Sequence, residues 1–429
     1  MANNASATPQ KTPPCNSAFS GEAELKYTSK AIGFIVVSEH NCTIGVQVDD
    51  IRPWIAQDVH KFGKCKAHAI LQKVQARCTG LNRVFEPEPG FSGDAMAKDT
   101  QIDLELDLKF DKCMTCICMR GRTIIVFSVK SKALSGLQLD RHFEPPELVA
   151  KLYWPEDTHQ SEPIIFDEVC KITQINSDAL RHTPGLALFY KCKKTSTYKI
   201  SIAPGLKDID QVKPGSHILT IIASRKLIPI TMLSGKEFLT AWWQIVKCHR
   251  ALWKIGVRHR DVSPSNLTGY RTHGQFTGIL NDYDLSLFQR DSPNSLERTG
   301  TVLFMALDRL IPESMAGKVE HVYAHDAESF IWVLTWICLR YEGGKLLSKN
   351  RPLEKWLKVD ARTCAEKKAD FLSGRIRDVR PSGSHEVSWD LVKKCFLGIH
   401  SLYSPFGCRK LADQSAFELL LEDPMQGHL

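Results

Sequence analysis

The chain has 429 residues, 43% hydrophobic and 24% charged, ordinary values for a folded protein that exclude wholesale disorder and collagen-like repetition. Its 56 Lys and Arg against 48 Asp and Glu leave a formal net charge of +8, a mild excess that permits an anionic substrate such as a nucleotide without calling for nucleic acid. No apolar run reaches the roughly 18 residues of a membrane span, and the polar N-terminus carries no apolar signal core. An intracellular protein without membrane association, its 14 cysteines mostly reduced thiols, is therefore expected.

Residues 1–20, rich in Asn, Ser, Thr and Pro, read as a disordered tail. Residues 21–100 form an N-terminal extension of no assigned role, with AIGFIVV as a strand and residues 51–75 as helical, closed by a Pro/Gly break at 86–95. Between Thr100 and Ser131 the hydrophobicity alternates with period two, in QIDLELDLKF and then MTCICMRGRTIIVFSVK, which predicts neighbouring half-buried strands. ELVAKLYW, GLALFYKC and SHILTIIAS add further strands, and SEPIIFDEVCKI a short helix. Cys113, Cys116 and Cys118 raise zinc as a possibility, but closed zinc sites generally want four ligands and no second pair is near, so strand alternation is the simpler reading.

The texture changes at Ser234. Ser234-Gly-Lys-Glu237 has the form of a capping box opening a long amphipathic helix, and Gly256 fits its left-handed end. Trp242 and Trp243 read as packing residues, and His249-Arg250 as a surface or core pair. After Asp326 comes AESFIWVLTWICLRY, apolar on nearly every side and so expected at the centre of a helical unit, with Asp326 as a possible N-cap. Residues 345–380 carry many Lys and Arg interleaved by Glu354, Asp360, Glu366 and Asp370. A solvated helical face is the default there, and a docking surface for an acidic partner the alternative.

The chemistry is concentrated in an ordered series. Val257-Arg-His-Arg-Asp-Val-Ser-Pro-Ser-Asn266 is followed by Ile279-Leu-Asn-Asp282-Tyr-Asp284, then Thr299-Gly-Thr-Val-Leu-Phe-Met-Ala-Leu-Asp308, then His325-Asp326. Each piece is weak alone. Together they resemble the protein-kinase succession of catalytic loop, metal-binding aspartate, activation-segment end and central-helix aspartate. HRDVSPSN, NDYDLS, TGTVLFMALDRL, AHDAESFIWVLTWIC and the later PLEKWLKVDARTCAEKKADFL are more closely similar to the fungal-type protein kinase family, typical of mushroom-forming fungi, from about Cys118 to about Leu397.

The resemblance implies an α+β, two-lobed fold: a β-rich N-lobe over 105–233, a helical C-lobe over 234–405 and a C-terminal tail over 406–429. It implies ATP and Mg²⁺ as cofactors and a Ser/Thr protein substrate. Asp261 becomes the catalytic base, His259 the scaffold beneath it, and Arg260 the receiver of a phosphate at Ser292, Ser295 or Thr299. Asn266 and Asp282 supply hard oxygen ligands to the metal from opposite sides of a hairpin-like segment, Asp326 holds the catalytic-loop backbone, and Thr301 contacts the catalytic aspartate. Lys151 matches the strand lysine that holds phosphates, with Glu162 as its partner and Glu168 as the fallback. Gly121 and Arg122 fall in the phosphate-covering loop, which keeps one glycine where the usual loop has three. Ser263 replaces a common lysine, and Asp284 replaces the glycine of DFG, so this segment should invert less readily. A small-molecule phosphotransferase and a nucleotide-binding pseudokinase are the alternatives: the first shares the aspartates and asparagine, the second would fit the glycine-poor loop.

Overall fold

The computed structural model describes residues 32–37, 42–45, 102–107, 114–116, 124–130, 147–155, 165–166, 169, 176–196, 218–288, 300–403 and 411–428. The predicted tail over 1–20 and helix over 51–75 lie outside them. Within them the chain is α+β: an antiparallel sheet supplied by the first half of the sequence, then a helical unit.

The sheet strands are β1 (Ile32–Val37), β2 (Cys42–Gly45), β3 (Ile102–Asp107), β4 (Met114–Cys116), β5 (Ile124–Lys130), β6 (Leu148–Tyr153), β7 (Leu186–Ser196) and β8 (Ile218–Arg225). Their order is β2-β1-β3-β5-β6-β8-β7. β5 takes β4 along residues 124–126 and β3 along 128–130, with β6 on its other edge. The alternating sequences at 101–130 do form strands. The sheet also continues into the N-terminal extension, because β1 pairs with β3 over its whole length and carries β2 on its other edge. β6 alternates between buried and half-buried positions, whereas β8 is buried on both faces over Ile218–Ala223, the mark of a covered central strand.

The helical unit begins after a two-residue strand, β9 (Ile228–Pro229), with α1 (Gly235–Lys254). Ser234 is its N-cap residue, but the capping box does not form. The Ser234 side chain caps nothing, and Glu237 turns outward to a bidentate pair with Arg271, one of its bonds 2.8 Å long. A two-point charged partner outcompetes one neutral amide. Gly256 ends the helix as expected, at φ +94° with its N–H on the Trp253 carbonyl.

Next come β10 (Val257–Arg258), β11 (Leu267–Thr272), β12 (Gln275–Leu280) and β13 (Leu287–Phe288). β11 and β12 form a hairpin around His273-Gly274, both at positive φ, as a tight two-residue turn requires. The hairpin lies on α1. A Cβ at Gly278 would sit 2.5 Å from the Ala241 carbonyl, so only glycine allows this approach, and the Gly278 N–H is received by Gln244.

α2 (Tyr323–Arg340) is buried on nearly all sides, as its sequence predicts, and α3 (Ala361–Ser373) and α4 (Glu386–Tyr403) pack around it. Trp242 of α1 meets Phe330 of α2 edge-on, while Trp332 gathers Trp356, Phe371 and Phe396. Asp326 is not the N-cap of α2; Val322 is, and Asp326 sits inside the first turn. The chain beyond 405 differs from the expected tail. Residues 413–425 are helical and bury Phe417, Leu420, Leu421 and Met425 in the same core, tied down by Trp253 and Arg250 of α1 on Asp413 and Gln414.

Candidate active site

The loop carrying Asp261 leaves β10, which β13 pins by pairing Arg258 with Leu287. Two residues in this region adopt left-handed backbone, Arg260 at φ +68° and Asp282 at φ +64°. Such conformations cost on the order of 1 kcal/mol each for non-glycine residues and persist only where surrounding contacts enforce them. Arg260 is buried at 5% exposure, which places its head within the protein.

Asp261 is held from two sides. Its Oδ1 accepts the backbone N–H and the hydroxyl of Thr301, both at 2.9 Å. Its Oδ2 accepts Asn266 Nδ2 at 3.1 Å, and the same amide donates to the Asp261 carbonyl at 2.8 Å. Burial pushes the Asp261 carboxyl up to about 6, the neighbouring Asp282 charge adds to this, and the Thr301 and Asn266 bonds oppose it.

With both amide protons of Asn266 directed at Asp261, its Oδ1 remains as an acceptor, met among the described residues by a long 3.4 Å contact from the Ser265 hydroxyl. The hairpin register sets Leu267 opposite Leu280, and the Asn281 N–H closes on the Asn266 carbonyl. Asn266 and Asp282 therefore emerge from the two ends of one hairpin, as the sequence reading expects. Lys151, on β6 opposite Val126 and Ile222, reaches across to Asp282 Oδ1 at 2.8 Å. Burial alone would raise the Asp282 carboxyl; the Lys151 ammonium holds it below the usual range. A cavity of about 190 Å³ is lined by Ile124, Asp261, Asp282, Asp284 and Leu285.

His259 lies beneath the loop at 1% exposure. Burial lowers its imidazole to about 4, so it is neutral at neutral pH. The Asp261 N–H points at Nδ1, a long contact at 3.4 Å, which leaves Nε2 to carry the proton and donate to the Asn281 carbonyl at 3.0 Å. Tyr283 is fully buried between the edges of His259 and Phe166.

Three sets of contacts have weak or no sequence signal. Gly300, at φ +110°, passes so close to the loop that a Cβ would lie 2.6 Å from the Arg260 carbonyl; only its place in Thr-Gly-Thr hints at this. Asp326 accepts His249 Nε2 and His321 Nε2, each at 2.9 Å, so the partners of its carboxylate oxygens are two imidazoles. Burial would raise its carboxyl, and the two histidines hold it well below the usual range. The end of the Thr301–Asp308 segment is gripped from three helices. Lys368 donates to the Met305 carbonyl, Glu328 accepts the Leu307 N–H at 3.0 Å, and Tyr403 donates to Glu328 at 2.8 Å.

Gly121, Arg122, Glu162, Glu168, Ser292, Ser295 and Thr299 lie outside the described residues, as do Cys113 and Cys118. Among the described residues no three His, Cys, Asp or Glu side chains converge to hold a metal ion, and no helix is long and apolar enough to cross a membrane.

Two carboxylates on one cavity, one bonded to an asparagine and the other to a lysine, are residue types that phosphoryl transfer can use. Residues 216–338 match the family described as Fungal protein kinase, the family that the motifs resemble. The matched stretch runs from β8 through the Asp261 loop, Asp282 and Thr301 to Asp326 and most of α2. No curated protein matches the chain.

Proposed function

We propose that this protein is an ATP-dependent protein kinase that transfers the γ-phosphoryl group to Ser or Thr hydroxyls, with the β-sheet as the N-lobe and the helical unit as the C-lobe of a two-lobed fold. The observation that carries this reading is that Asp261 and Asp282 line one cavity, with Asn266 bonded to the first and Lys151 to the second.

Asp261 is the group that orients the substrate hydroxyl and accepts its proton. Thr301 and Asn266 fix its plane, so the orientation is set before substrate arrives. Its raised carboxyl suits a base that works near neutral pH. Asn266 Oδ1 and Asp282 Oδ2 are hard oxygen atoms left over by the hydrogen bonding of their own side chains, and they fit Mg²⁺. Mg²⁺, when bound there with ATP, neutralises phosphate charge. Lys151 would then exchange Asp282 for phosphate oxygens, and Gly121 and Arg122 would cover them. His259 supports the loop as a neutral scaffold, and Arg260 would receive a phosphate placed on the activation segment.

The test is intact-mass spectrometry after incubation with Mg·ATP, wild type against Asp261→Asn. Phosphate gained by the wild type alone supports a protein kinase. No gain in either, with a nucleotide-dependent rise in melting temperature, would replace this reading by a small-molecule kinase or a pseudokinase.

A further inference from the structure

We propose that the exposed cations of residues 345–380 form a docking surface that selects acidic protein segments as substrates, an inference that rests on the kinase reading above. This stretch holds eleven Lys and Arg against five Asp and Glu, so it carries six of the chain's eight net positive charges. The structure separates the cations that are compensated from those that are not. Arg351 pairs with Glu354, Arg362 with Glu366 and Arg375 with Asp370, which engages three of the five acids. A fourth, Asp360, is taken up as the N-cap of α3 through the Thr363 N–H. Lys349, Lys355, Lys358, Lys367, Arg377 and Arg380 make no ion pair among the described residues. A solvated helical face that merely balances its own charge would not leave this surplus.

The surplus sits beside the segment that would present a substrate. Ala361 and Cys364 of α3 share a small core with Met305 and Leu310, and Val302, Val359 and Ala365 pack against it. Lys368 of the same helix holds the Met305 carbonyl. Lys358 immediately precedes Val359 in that contact, and Lys367 immediately precedes Lys368. Exposed Leu357, between Lys355 and Lys358, adds an apolar contact point within the charged surface. A substrate chain leaving the Asp261 cleft along residues 301–310 would therefore meet uncompensated positive charge. Glu354, Glu366 and Asp370 interrupt that charge. This favours a protein segment with discrete carboxylates over a nucleic acid, whose phosphates repeat without a break.

The test uses the full chain and three labelled probes followed by fluorescence anisotropy: a serine peptide flanked by glutamates, its lysine-flanked counterpart and a single-stranded RNA of similar length. The acidic peptide is expected to bind at least about tenfold more tightly than the basic one, with affinity falling as salt rises. The triple variant Lys355→Glu/Lys358→Glu/Arg377→Glu, all exposed positions, should lose about tenfold or more of that affinity and keep its melting temperature and its nucleotide-dependent shift. Equal binding of the two peptides, no binding of the acidic one, affinity untouched by the variant, or RNA binding more tightly than the peptide would each overturn the proposal. Phosphate gain by the wild type is read in parallel. Its absence counts against the kinase reading, whereas its presence without acidic preference removes only the docking surface.

Discussion

Thr301 gives one oxygen of Asp261 two hydrogen bonds, from its backbone N–H and its hydroxyl, so the 300–308 segment and the Asp261 loop are locked through a single carboxylate. Thr301→Ala keeps the backbone bond and loses the hydroxyl. A hydrogen bond to a charged group is worth about 1.5–3 kcal/mol, so phosphoryl transfer should fall about tenfold to a hundredfold. Nucleotide affinity, measured by calorimetry, should stay within about twofold, since the bonds of Thr301 go to Asp261 and not to Lys151.

The pH dependence follows from the same carboxylate. With Asp261 as the proposed base, a carboxyl raised to about 6 is protonated below that value, so kcat/KM should drop as pH falls through about 6. Stability runs the other way. A carboxyl raised from 3.8 in the unfolded chain favours folding in its protonated form, and that contribution is lost as pH rises through about 6. Asp261→Asn should therefore gain melting temperature relative to the wild type between about pH 4 and pH 6. A difference that is flat across this range would show that the burial does not act as argued.

Gly300→Ala tests the close approach over Arg260. The added Cβ meets a backbone carbonyl at 2.6 Å in a left-handed conformation that alanine disfavours. Thermal denaturation should show a loss of about 2 kcal/mol or more, and the folded variant should lose transfer activity because Thr301 is displaced with it.

Lys151→Met separates two affinities that usually change together. Lys151 occupies Asp282 Oδ1 when no nucleotide is bound, so removing it should strengthen binding of Mn²⁺ alone, a few-fold by paramagnetic resonance. Binding of Mg·ATP should weaken, because phosphates lose their cation. If both affinities fall together, Lys151 is not competing for the metal carboxylate.

Tyr403→Phe removes only the hydroxyl that ties α4 to Glu328 and receives the Asp308 N–H at 3.3 Å. The expected cost to stability is about 1 kcal/mol. Since Glu328 also holds Leu307, KM for a protein substrate should rise while KM for ATP does not; a change in both would place the effect elsewhere than at the 305–308 segment.

Much of this molecule is determined by local sequence. Period-two alternation in the sequence suffices to mark β3 and β5 as strands, and the almost uniformly apolar Phe330–Leu339 stretch is buried. His259, Asp261 and Asn266 lie within eight residues, and a two-residue turn at His273-Gly274 brings Asp282 back beside them, so this half of the site is a short-range product of the chain. The tertiary structure decided what depends on distant partners. Lys151 meets Asp282 across 131 residues, Thr301 meets Asp261 across 40, and Lys368 meets Met305 across 63. It also turned Glu237 from its capping role to Arg271, added β1 and β2 to the sheet and drew residues 413–425 into the helical core. Each of these outcomes is a competition between a local partner and a remote one. Only the folded chain brings the remote one within reach, where a charged or fully buried contact outweighs the local alternative.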